Sequence, residues 1–96
     1  MTENIANLNN LVVVGGKPTM NYVVACITLF NSGIQTVLVR ARGSHISEAV
    51  DVVEMLRRVF LKDLKVEKIS LGTEEHKDSR GRETSVSTIE IFLTKK

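Results

Sequence analysis

The stretch LVVVGGKPTMNYVVACITLF, residues 11–30, contains two different hydrophobic periods, and the point where one gives way to the other fixes the first turn of the fold. Leu11, Val12, Val13 and Val14 are an unbroken β-favouring run that stops at Gly15 and Gly16, which reads as a buried strand closed by a tight turn. From Pro18 the spacing becomes helical. Met20, Val23, Val24, Ile27 and Phe30 share one side, and proline suits the first helical position because no N–H is needed there. Asn31, Ser32 and Gly33 end that helix. Lys17 sits against the positive end of the helix dipole, where a cation gains nothing, so its position suits an anion that the chain does not supply. Cys26 falls among the apolar positions and reads as a small core residue; being alone, it can form no disulfide within one chain.

Working outward, TVLVRAR at residues 36–42 alternates as a strand does, with Val37, Val39 and Ala41 on one face and Leu38, Arg40 and Arg42 on the other. Gly43 breaks it, Ser44 offers an N-cap, and a second helix is expected from about residue 45 to 61. Ile46, Ala49, Val50, Val53, Leu56 and Phe60 form its apolar stripe, while Val52, Met55 and Val59 widen the arc beyond the roughly 100° that one packed face requires. One surface lies on the sheet. The other is most simply covered by a second copy across a two-fold axis, which makes Val52, Met55 and Val59 the expected dimer interface; burial by the chain's own loops is the alternative.

Two further strands are expected at about 66–75 and 84–94, the second with Ile89, Ile91 and Leu93 inward and Thr88, Glu90 and Phe92 outward. Asp78, Ser79, Arg80 and Gly81 supply turn chemistry between them. The order β-α-β-α-β-β predicts a two-layer α+β fold, a four-stranded mixed sheet with two helices packed on one face. Residues 1–10 are expected to be a flexible N-terminal segment. Residues 11–96 form one domain with a hairpin protruding at about 74–84.

With 96 residues the chain suits a single core, and 43% hydrophobic with 25% charged residues is the balance of an ordinary globular domain. The apolar runs are too short to span a membrane. The opening MTENIANLNN lacks the basic start and apolar stretch of a secretory signal, so a cytoplasmic location is expected. Catalysis has little to work with. His45 and His76 stand in no metal-binding spacing, Glu48, Asp51 and Glu54 read as a solvated helix flank, and GGKP lacks the spacing of a P-loop. No catalytic residue, metal, cofactor, small-molecule substrate or membrane partner is expected.

The net charge of +2 is too small by itself to announce a nucleic-acid partner, so placement decides. Lys17 and Asn21 are one helical turn apart and can face the same side of a helix start, where backbone N–H groups also point outward. Arg40 and Arg42 lie at the end of the second strand, and Lys77, Arg80 and Arg82 on the hairpin. If the first two strands are neighbours, the turns carrying Lys17 and Arg42 emerge at one edge of the sheet as a basic ridge suited to phosphates.

The strings VVVGGKPTMNYV, VLVRARGSHISEAVDVVEMLRR and SVSTIEIFLTKK together resemble the Alba family, small archaeal chromatin proteins with relatives among RNA-binding ribonucleoprotein subunits. The resemblance implies a non-catalytic dimer that binds double-stranded DNA and RNA. It puts Lys17 and Arg42 at the duplex and carries Arg80 and Arg82 on an arm that enters the minor groove. Lys17 is the candidate for acetylation, although many members have lysine where Gly16 stands. Phe60 is a candidate for contact between dimers. Ser44, His45 and Glu48 occupy places where the family often has basic residues, and residues 74–83 hold four acids against three bases. A weaker or more specialised binder is therefore expected, as a homodimer or mixed with a more basic paralogue, on the chromosome in the cytoplasm. A structural subunit of an RNA-processing particle is the nearest alternative, and a protein–protein adaptor the alternative of another class.

Overall fold

The computed structural model describes residues 10–95 of the chain. Residues 1–9 of the expected N-terminal segment lie outside the described residues. Asn10 does not behave as a free end, since its carbonyl accepts a hydrogen bond from Leu38 N–H at 2.7 Å. The chain then runs in the predicted order: strand β1 (Leu11–Val13), helix α1 (Thr19–Asn31), strand β2 (Thr36–Arg42), helix α2 (Ile46–Met55), strand β3 (Leu64–Lys77) and strand β4 (Glu83–Lys95).

The sheet runs β1-β2-β4-β3. β1 pairs with β2 in parallel, and both other pairings are antiparallel. Val12, Val37, Val39, Ala41, Ile89, Ile91 and Leu93 point to the helical layer, where Tyr22, Val23, Cys26 and Phe30 of α1 meet Ala49, Val52 and Val53 of α2 with Leu56. Burial pushes the Cys26 thiol up to about 12, as expected of an inert core cysteine.

The helices depart from the predicted wheels in instructive ways. Pro18 occupies the N-cap of α1, one residue before the position predicted for it. Met20 and Val24 face solvent, because the buried stripe runs through Tyr22, Val23, Cys26 and Phe30. Ser44 does not cap α2 with its side chain. Gly43–His45 form a single 3-10 turn, and α2 starts after it. Val52 is completely buried while Val50 is exposed, so the wide apolar arc meets the sheet through Ala49, Val52, Val53 and Leu56. Val52 therefore has no surface left for a second copy, and the expected interface loses it. After Met55 the helix widens into a π-type segment, Leu56–Phe60, closed by Leu61 N–H donating to Leu56 O at 2.7 Å. A widened turn departs from the α-helical spacing, and within this one Val59 and Phe60 are exposed while Leu56 is buried.

β3 and β4 are longer than predicted. Pairing of β4 with β2 ends at Thr88, so beyond it Thr73 to Lys77 pair only with Ser87 to Glu83 as a two-stranded ribbon of five residue pairs. At roughly 3.3 Å per residue the ribbon adds about 17 Å to the body, and the molecule is 46 Å long against 29 and 23 Å across. On β3, Ile69 and Leu71 pair with Ile91 and Ile89 and so share the helical side of the sheet, yet they are exposed.

Candidate nucleic-acid interface

Parallel pairing of β1 and β2 brings the turn after each strand to the same edge of the sheet. Val14 N–H extends that pairing by donating to Arg40 O at 2.8 Å. The chain then leaves through Gly15 and Gly16, and the turn is held by a residue that the sequence pattern did not single out. Tyr22, nearly buried on α1, lifts its hydroxyl to the turn and accepts from Gly15 N–H at 2.9 Å and from Lys17 N–H at 3.0 Å. Its signal was present in the string NYV, a tyrosine inside an apolar helical stripe, whose phenol must find polar partners when the ring is buried.

Lys17 and Asn21 do line one shallow hollow, with Val12, Val13 and Ala25 behind them. The expected set of free N–H groups is smaller than predicted. Tyr22 occupies the Lys17 N–H, and Asn21 N–H donates to Pro18 O at 3.0 Å. Thr19 and Met20, the first two helical residues, are left without an intrahelical acceptor. Tyr22→Phe deprives two amides of their partner and is expected to lower stability by about 1 to 2 kcal/mol in chemical denaturation, without a change in secondary structure.

The arginines are less free than their count suggests. Arg40 faces Glu90 across β2 and β4 and donates to it at 2.9 Å. Arg42 donates to Glu74 of the ribbon at 2.7 Å. Arg82 donates from Nε to Asp78 at 2.9 Å. The other Asp78 oxygen accepts from the N–H groups of Arg80 and Arg82, both at 2.9 Å. These hydrogen bonds, the Arg82 N–H foremost, hold the Asp78 carboxyl below its usual range against the opposing effect of desolvation. The order they give the ribbon tip is present above the ordinary aspartate pKa and disappears as pH falls through the lowered value. Among the described residues Lys17 and the Arg80 side chain have no carboxylate partner.

Arg40, Arg42 and Glu74 border a hollow of about 210 Å³ whose other walls include Val13, Gly15, His45 and Thr88. Gly15 of the first turn, Arg42 of the second and the root of the ribbon thus share one wall, while Lys17 lines the other hollow, with Val13 common to both. Arg80 and Arg82 lie apart from it at the tip. His45 approaches Glu48 at 3.8 Å, and His76 meets the Thr84 hydroxyl at 3.3 Å. Among the described residues no cluster of three His, Cys, Asp or Glu is placed to hold a metal ion, and no helix is long and apolar enough to cross a membrane.

The family model for Alba matches residues 9–73. A curated relative, the DNA/RNA-binding protein Alba of Methanocella arvoryzae, is 47% identical over 85 residues, 88% of each chain. Among solved structures, Alba from Thermoplasma volcanium matches with a TM-score of 0.84 at 48% identity, covering 90% of this chain and 100% of that one. ALBA1 from Trypanosoma brucei matches with a TM-score of 0.75 at 34% identity, over 91% of this chain and 69% of the other.

Proposed function

Since the chain belongs to the Alba family, we propose that it is a dimeric, largely sequence-independent binder of double-stranded DNA that coats or bridges the duplex and also takes RNA. The observation that carries this reading is the parallel pairing that brings the turns bearing Lys17 and Arg42 to one edge of the sheet beside the root of the ribbon, Lys17 in one hollow and Arg42 in the next, with Val13 lining both. Lys17 and Arg42 neutralise phosphates, and Asn21 with the free N–H groups of Thr19 and Met20 orients the backbone. No helix presents a row of Arg, Asn or Gln for a major groove, so base edges are not read. The relative's name covers both nucleic acids, and a role in an RNA-processing particle is the reading to weigh against a chromosomal one.

The dimer reading rests on exposed apolar residues on the helical side of the sheet. Met55 and Val59 remain exposed, and Ile69 and Leu71 on β3 add to the apolar surface of the helical side. A second copy covers them across a two-fold axis, and Phe60 stays outside for contacts between dimers.

Titrating a labelled duplex and a folded RNA with the protein over a salt series tests the function. Affinity should fall steeply and linearly in the logarithm of salt, with nearly equal slopes for unrelated duplexes. Absence of duplex binding, or affinity indifferent to salt, would sink the proposal. Tighter binding of folded RNA than of duplex at equal salt would favour the RNA-particle reading.

The ribbon tip supplies a separate test. Arg80→Ala with Arg82→Ala should weaken duplex binding while the body keeps its fold, because neither side chain packs in the core. A minor-groove dye should compete strongly with the unmodified protein and weakly with the double variant. Equal competition would reduce both arginines to solvated charges.

A further inference from the structure

Arg42 closes β2 and projects on the sheet face away from the helices, the face that also carries Arg40. Its neighbour in register is Thr88 on β4, and the neighbour of Thr88 is Gly72 on β3. Glu74 lies two residues further along the same face, just inside the two-stranded ribbon. The root of the ribbon is close-packed: a Cβ on Gly72 would stand 3.0 Å from the Thr88 hydroxyl oxygen, and one on Gly43 3.3 Å from a Val86 methyl. Gly43 also has φ +58°, a conformation that favours glycine. Across this root Arg42 reaches Glu74 at 2.7 Å, with side chains 63% and 52% exposed. The pair is the one ionic tie among the described residues that joins ribbon to body. Arg40 and Glu90 are both fixed within the sheet, and Arg82 and Asp78 both belong to the tip.

An ion pair this exposed is weak, because water screens it and two long side chains must be held together. A phosphate presented to Arg42 can therefore displace the carboxylate. We propose that Glu74 occupies the anion site of Arg42 in the free protein, so that nucleic acid enters by exchanging a phosphate for the carboxylate and thereby unties the ribbon from the body. This rests on the reading of Arg42 as a phosphate ligand.

The exchange leaves a thermodynamic mark. A phosphate that meets a bare arginine sheds its condensed counterion. When Glu74 must first be expelled, the released carboxylate gathers a cation, and the two effects oppose one another in the salt dependence. Arg42 then adds little to the slope, and binding at the body becomes coupled to freedom of the arm.

Five proteins titrated with one labelled duplex over a salt series test this: unmodified, Glu74→Gln, Glu75→Gln, Arg42→Ala, and Glu74→Gln combined with Arg42→Ala. Glu74→Gln should tighten binding by up to about fivefold per engaged site and steepen the salt slope by about 0.9 for each Arg42 that meets phosphate. Glu75→Gln removes the same charge one residue along, where the side chain lies on the opposite face of the ribbon, and should leave the slope unchanged. On Arg42→Ala, the Glu74→Gln change should have no effect. Equal effects of the two glutamine variants, or a Glu74→Gln effect that survives on Arg42→Ala, would overturn the exchange while leaving Arg42 a phosphate ligand. Arg42→Ala binding the duplex as tightly as the unmodified protein would overturn the phosphate reading and the exchange together.

Discussion

Met55→Glu is expected to yield a folded monomer in place of the proposed dimer. In the single chain Met55 is partly exposed at the rim of α2, beside Val59, so a glutamate there stays hydrated and the core of Val52, Val53 and Leu56 is untouched. In a two-fold dimer the change enters twice. Each carboxylate would be covered on a surface that Asp51 and Glu54 already line, where Arg58 is the one cation against three acids, at a cost of several kcal/mol. Sedimentation should report the monomer mass with an unchanged far-ultraviolet spectrum. Val52→Glu makes the contrast: that side chain is fully enclosed, so the same carboxylate should unfold the chain. A Met55→Glu protein that sediments as an intact dimer would move the interface elsewhere.

Lys17→Ala is expected to reduce duplex affinity by a similar factor for unrelated sequences and to flatten the salt dependence. Each phosphate that is no longer neutralised takes about 0.9 from the slope, so two such phosphates in a dimer take nearly two units. Between about 50 and 200 mM salt that difference amounts to roughly a twelvefold change in relative affinity. The free protein should be as stable as before or more stable by at most about 0.5 kcal/mol, since a charge opposing the α1 dipole has gone. Lys17→Gln, which carries the neutrality of an acetylated lysine, should match alanine. Unchanged affinity and slope would mean that Lys17 does not meet the duplex.

The order of elements along the chain was legible from the change of hydrophobic period, and the faces of β2 and β4 because alternation with period two permits only two assignments, of which Arg40 and Arg42 mark the solvent one. A wide apolar arc was harder to read. Along α2 and its π-type continuation the residues from Ile46 to Val59 offered several stripes of similar quality, and only packing against α1 and β2 selected the one through Val52. The π-type widening after Met55 has no signature in the pattern, so Phe60 was assigned to the stripe it leaves. In the candidate site, Lys17, Asn21 and Arg42 were singled out by turn chemistry and local spacing. Glu74 and Glu90 were not paired with Arg42 and Arg40, because those partners are 32 and 50 residues away and meet only through the sheet register.

Two successive glycines leave a recognition turn with more backbone freedom than any other pair of residues would, and binding a phosphate there would ordinarily have to suppress that freedom. The Tyr22 hydroxyl changes when the suppression happens. By accepting from amides on both sides of Gly16, it orders the loop as the core forms, so the entropy is given up in folding and the association step is spared it. The amides of Gly15 and Lys17 should then exchange with solvent deuterium far more slowly than that of Gly16, already in the protein without nucleic acid. A buried phenol makes the shape of the turn a property of the free molecule.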